Sequence, residues 1–209
     1  MPGDIAVPAR AAALLDLWFG PPGDPHRETH RDIWFRSTPE HDERLRRLFL
    51  ADYEAAASGA LDAWEEEPLG ALALVLLLDQ IPRNIFRDTP RCYATDAKAR
   101  DAADRALARG FDQALPPVWR KFLYMPFHHS ESLADQLRAI ALWDDLPDER
   151  DHRELRDPER GANRRYGMPY PEVIERFGRF PHRNAILGRP STEEEIAFLA
   201  QVKANRRAG

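Results

Sequence analysis

Cysteine is almost absent from this 209-residue chain, with Cys92 the single example. A lone thiol cannot close an internal disulfide, which fits a reducing compartment and sets the expectation of a cytoplasmic protein. No neighbour in sequence would lower its pKa, so Cys92 is read as packing rather than as a nucleophile. Long hydrophobic runs are lacking too. The longest, Ala71 to Leu78, falls far short of the roughly 20 residues that span a bilayer, and no membrane partner is expected. Met1-Pro2-Gly3-Asp4 does not open with the basic and then apolar stretch of a secretory signal. Positive charge is also in short supply: 30 Lys and Arg against 35 Asp and Glu leave a net charge of −5. That balance excludes the basic footprint of sequence-independent nucleic-acid binding. Glycine-rich phosphate loops are missing, and no strand-turn-helix elbow surrounds Ser130.

What the chain does contain is helix signal, repeated along its length. Pro8 to Phe19 carries Ala12, Leu15 and Phe19 on one face before Gly20-Pro21-Pro22-Gly23 stops it. Thr38, Pro39 and Glu40 open a helix to about Ser58, closed by Gly59, with Leu45, Leu48, Phe49 and Ala56 inward. Pro68 starts a helix to Gln80 that is apolar nearly all round and so must be covered on most sides. Pro82, unable to donate to the preceding turn, predicts a kink or restart, with one more turn over Arg83 to Arg87. Thr95-Asp96 opens a helix to Arg109, closed by Gly110. A short helix follows over Leu115 to Met125. Ser130 is the expected cap of a helix through Trp143, with Leu133, Leu137, Ile140 and Ala141 inward. Residues 144–163 read as a solvated loop. A helix over Glu172 to Phe177 and a capping-box helix from Thr192 and Glu195 to Ala204 complete the pattern, with 205–209 a frayed tail. The expectation is one all-α domain over 1–209, a compact array of helices.

Three clusters set polar groups beside apolar ones, where burial is costly without partners: Asp79-Gln80-Ile81-Pro82-Arg83-Asn84, Met125 to Glu131, and Arg176 to Asn184. A histidine and a carboxylate can share a metal, but His129 and Glu131 are only two apart and no tight ligand pair is present, so no metal or other cofactor is expected. Arg164, Arg165, Arg176, Arg179, Arg183 and Arg189 face only Glu172 and Glu175 within their stretch. Arginine suits bidentate carboxylate or phosphate contacts. One reading is an anion pocket formed by Asp79, Gln80, Arg83, Asn84, Arg179, Arg183 and Asn184, with His129, His182 or Glu131 as the acid–base group should chemistry occur. The other is that Asp79, Glu131 and Glu175 take up the arginines in structural ion pairs.

These strings carry a resemblance. Leu17-Trp18-Phe19-Gly20, Leu77 to Arg87, Phe122 to Phe127 with His129-Ser130-Glu131, Arg176 to Asn184 and Leu187-Gly188-Arg189 make the chain similar, over nearly its whole length, to the bacterial family called domain of unknown function 924 (DUF924). The resemblance implies an all-α fold similar to tetratricopeptide-repeat-like arrays and brings no activity with it. It also implies a histidine just before the Arg-Phe-Gly-Arg string, where this chain has Tyr170. The leading functional expectation is a protein binding a small anionic metabolite or acidic group. The alternative is a non-catalytic peptide or protein interaction module, and a metal-dependent hydrolase stands third.

Overall fold

The computed structural model describes residues 7–146 and 168–208, and among them every regular element is helical. None of their helices is long and apolar enough to cross a membrane. The chain packs as two compact units, Met1–Pro126 and Phe127–Gly209.

In the first unit, α1 (Ala9–Phe19) buries Ala11, Leu14, Leu15, Trp18 and Phe19. The Phe19 ring stacks on Trp119 at 4.4 Å, while Phe122 meets Trp18, Phe19 and Trp34 edge-on at 5.7, 5.4 and 4.9 Å. The indole N–H groups of Trp34 and Trp119 donate to the carbonyls of Trp18 and Arg27 at 2.9 Å, so two of these bulky side chains enter the core with their polar atoms satisfied. The next helix, α2 (Pro39–Ser58), begins and ends as its sequence predicts. The Thr38 hydroxyl accepts from the His41 N–H, Pro39 takes the first turn, and Gly59 adopts a left-handed φ of 92°. Its inward face differs at one position: Leu48 is 41% exposed and Tyr53 is buried instead.

The central helix is α3 (Pro68–Val75), buried from Gly70 to Val75 and packed against α1 and α5 (Asp96–Ala108). Gly70 is required there, because a Cβ would lie 2.2 Å from the Trp64 carbonyl oxygen. The helix passes through a π-helical turn, Leu76–Gln80, into α4 (Ile81–Ile85). Pro82 is the physical reason. It has no N–H for the Leu78 carbonyl and its ring would crowd that oxygen. The wider turn, with the Ile81 N–H reaching back to the Leu76 carbonyl, makes room, and the Thr95 hydroxyl donates to the Leu78 carbonyl at 2.6 Å in place of the missing amide. The expected kink is thus a π-turn. The last element, α6 (Pro117–His128), runs past its expected end at Met125 with Pro126 inside it.

In the second unit, α7 (Leu133–Asp144) is capped by Ser132, which accepts from the Asp135 N–H, and not by Ser130. Its buried face is Gln136, Ala139 and Trp143; Leu133 and Leu137 are 36% and 55% exposed. Gln136 can be buried because its amide donates to the carbonyls of His128 and Ser130 at 2.6 and 2.7 Å, closing the chain that enters the helix. Helix α8 (Tyr170–Phe177) packs on α7 and ends at Gly178, φ 65°. Helix α9 (Glu193–Ala208) starts with the predicted capping box and continues beyond Ala204 into the segment expected to fray. A small core of Val173, Ile174, Phe180, Phe198 and Val202 joins α8 to α9. From 147 onward, the loop expected over 144–163 lies outside the described residues.

Candidate functional site

Polar clusters are found in both units. In the first unit, the π-turn brings Asp79 and Gln80 into the interior, Asp79 with no exposed surface at all. The Gln80 amide donates to the Asp79 carboxylate at 2.6 Å. One turn on, Arg83 bridges Asp79 at 3.1 Å and Asp96 at 2.9 Å, donates to the Asp79 carbonyl at 2.6 Å, and lies over the Tyr93 ring at 5.8 Å. Burial works against its charge, but the two carboxylates prevail and hold Arg83 above the ordinary arginine range. Asn84 faces the other way, donating to Asp42 at 2.8 Å, where Arg87 pairs at 2.9 Å and Ser37 at 2.6 Å. Burial raises the Asp42 carboxyl, and its bonds from Ser37, Asn84 and Arg87 outweigh that and leave it below the usual range. Arg46 closes the end of α4 by donating to the Ile85 carbonyl.

In the second unit, the end of the Met125–Glu131 string, at His129 and Glu131, meets the Arg176–Asn184 string. Glu131 accepts from Arg189 through both oxygens, at 2.6 and 2.9 Å, and from the Phe180 N–H at 2.7 Å. Burial pushes its carboxyl up; the bonds from Arg189 and Phe180 and the charges of Arg183 and Arg189 more than reverse this and depress it. At neutral pH Glu131 is therefore an ionised acceptor, unsuited to donating a proton. Glu195 is the second centre. It accepts from Arg179 at 2.7 and 2.8 Å, from the buried Asn184 amide at 3.2 Å, and from the Thr192 N–H at 2.8 Å. The Arg179 bonds foremost, against the opposing effect of burial, lower its carboxyl to about 2. Arg189 also donates to the Asn184 side-chain oxygen at 3.0 Å, which joins the two centres.

Arg183 is buried, donates to the His129 carbonyl at 2.8 Å and lies over the Phe180 ring at 4.7 Å. The His182 ring is 5.8 Å from Phe180, and His129 is 6.0 Å from His128. His128 stacks on Tyr170 at 4.5 Å and meets Trp143 edge-on at 4.8 Å. Tyr170, which stands where the resemblance implies a histidine, is thus part of an aromatic stack. Among the described residues, no three His, Cys, Asp or Glu side chains gather as a metal-holding group.

The sequence-predicted residues divide between the two units. Asp79, Gln80, Arg83 and Asn84 serve the first unit. Glu131, Arg179, Arg183, Asn184, His129 and His182 belong to the second. Sequence reasoning misses three partners. Asp42 and Asp96 lie distant in sequence from the cluster they serve, and no local signal marks them. Glu195 is legible as the acid of a capping box, and its second task, holding Arg179, is not. The carboxylate on Arg189 is Glu131, while Glu175 is not its partner in the bonds described.

A family profile described as bacterial protein of unknown function (DUF924) matches residues 14–203. The chain is also similar to a solved structure, that of the protein of unknown function ATU0120 from Agrobacterium tumefaciens. The two are 39% identical, with a TM-score of 0.73 over 91% of this chain and 97% of that one. No curated protein matches.

Proposed function

The chain belongs to the bacterial DUF924 family, whose function is unknown, and from that premise we propose that it is a non-catalytic interaction module whose polar clusters hold its helices in register. One observation carries this reading: each of Arg83, Arg87, Arg179 and Arg189 is matched to a carboxylate within its own unit. A pocket built for an anion keeps its guanidinium charge for the ligand. Here that charge is taken up by Asp42, Asp79, Asp96, Glu131 and Glu195. A tetratricopeptide-like array presenting helix faces to a peptide or protein is the form this reading gives the fold, and the single buried Cys92 supports a cytoplasmic setting.

Thermal unfolding of the wild type and of Glu131→Ala, with and without inorganic phosphate or citrate, separates this reading from an anion pocket. Structural clusters lose several kcal/mol with Glu131→Ala, and neither anion moves the Tm. A ligand at about 100 times its Kd would add about 2.7 kcal/mol. A Tm rise from phosphate or citrate that Arg183→Ala abolishes would overturn the proposal in favour of anion binding.

A further inference from the structure

Helix α7 docks by a face that suits it poorly. Leu133, Ala134, Leu137 and Ala141 are exposed, while the residues turned inward are Gln136, Ala139 and Trp143. Two of those three carry a buried polar atom that finds no hydrogen-bond partner among the described residues: the Gln136 side-chain oxygen and the Trp143 indole N–H. Gln136 commits its amide N–H groups to the His128 and Ser130 carbonyls, so turning the amide over would only set oxygen against oxygen. Each group left in this condition weakens the packed state roughly tenfold, because water would satisfy it. The neighbouring helices differ. Helix α8 buries Val173 and Ile174, α9 buries Phe198 and Val202 beyond its capping box, and among the described residues neither helix leaves a buried side-chain polar atom unsatisfied.

We infer that α7 is a strap, which lifts from the second unit in a step of its own, well short of unfolding, and bares the His128–Tyr170 stack. Lifting it returns the Gln136 oxygen and the Trp143 N–H to water, while Leu133 and Leu137 are in water already. The motion gives up the burial of Ala139 and Trp143, part of that of Ile140 and Leu142, and the contact of Arg138 with the Phe127 ring at 4.3 Å. The amide and carbonyls freed at Gln136 find water in exchange. The far end of the helix adds to the effect. Asp145 stands at the C-cap with no basic residue in the last turn, where an acidic group opposes the helix dipole. Trp143 meets the His128 ring edge-on at 4.8 Å, and Tyr170 stacks on the same ring at 4.5 Å, so this pair is what the strap covers. Elements with few buried apolar contacts are the ones that open below the global limit. Neither the strap nor the interaction-module reading needs the other.

Native-state hydrogen exchange of the full chain in low urea, read amide by amide, tests the strap. After correction for intrinsic rates, amides 137–144 should exchange at least about tenfold faster than the slowest amides of α8 and α9, with little dependence on urea. Leu137→Gly, at an exposed position, weakens the helix without touching its buried face. A strap that opens alone confines this change to its own amides, about fourfold faster, and leaves α8 and α9 as they were. Asp145→Lys should slow the same amides about twofold. Protection in α7 equal to that of α8 and α9, or a Leu137→Gly effect spread evenly over all three helices, would overturn the inference.

Discussion

The two units bury the same residue types by opposite plans. In the first, a cation is the hub: Arg83 sits between Asp79 and Asp96 beside a break in a helix. In the second, anions are the hubs: Glu131 and Glu195 each accept from one arginine through both oxygens and from a backbone N–H. The difference follows from what each place lacks. A π-turn with a proline after it exposes carbonyls, which call for donors, and arginine supplies them. Phe180 and Thr192 turn backbone N–H groups toward side-chain acceptors, and a carboxylate can take several donors at once.

That contrast can be broken at its strongest point first. Arg83→Ala should cost about 3–5 kcal/mol, because it leaves the fully buried Asp79 without its cation. Urea denaturation measures this, and a loss under about 1 kcal/mol would mean that Asp79 is not held as an ion. The corresponding cut in the second unit, Glu195→Ala, should cost somewhat less, about 2–4 kcal/mol. It removes the acceptor of the Thr192 N–H and one of the two acceptors of the Asn184 amide, which keeps Ser191 at 3.1 Å, and Arg179 is part-exposed and can turn to water.

The anionic hubs also predict how acid acts. Glu195 is lowered in the folded protein from 4.5 to about 2. Its contribution to stability is therefore complete above about pH 4.5 and is lost as the pH falls through that interval to about 2. Glu131, likewise depressed, adds a loss of the same sign. Trp143 is the one tryptophan of 127–209, so its fluorescence, with the other four tryptophans replaced by phenylalanine, follows the second unit. Glu195→Gln should flatten that acid transition; an unaltered transition would show that Glu195 does not drive it.

Smaller effects sharpen the comparison. Thr95→Val removes the hydroxyl on the Leu78 carbonyl and should cost about 1–2 kcal/mol. Arg176→Ala breaks an ion pair with Glu194 whose side chains are 45% and 60% exposed, and should cost no more than about 0.5 kcal/mol. If Arg176→Ala matched Glu195→Ala in denaturation, the distinction between buried hubs and surface pairs would fail.

What is legible in the sequence tracks what is local. The Thr38 cap, the Gly59 stop and the Thr192–Glu195 capping box depend on residues within one turn of each other, and each is found where its spacing puts it. Helix α7 shows where that logic ends. Counting apolar residues turns Leu133 and Leu137 inward, yet Gln136 is buried in their place, its amide N–H groups taken up by two backbone carbonyls. The cap is Ser132 rather than Ser130 for a related reason: the Ser130 hydroxyl is engaged with Asp135 at 2.6 Å. The clusters are visible as unusual polar strings, but partners such as Asp42, 42 residues from Asn84, exist only once the helices have packed.

The hydroxyl of Thr95 has a consequence for the order of folding events. Helix α3 can nucleate early on its own apolar sequence, but the break at Pro82 leaves the Leu78 carbonyl without an amide however well the helix forms. Its donor arrives only with the start of α5, 17 residues along. The contact is therefore expected on the downhill side of the folding barrier, where interactions slow unfolding without speeding folding. In a chevron plot, Thr95→Val should lift the unfolding limb and leave the refolding limb in place. This single hydroxyl then acts as a latch on the lifetime of the native state.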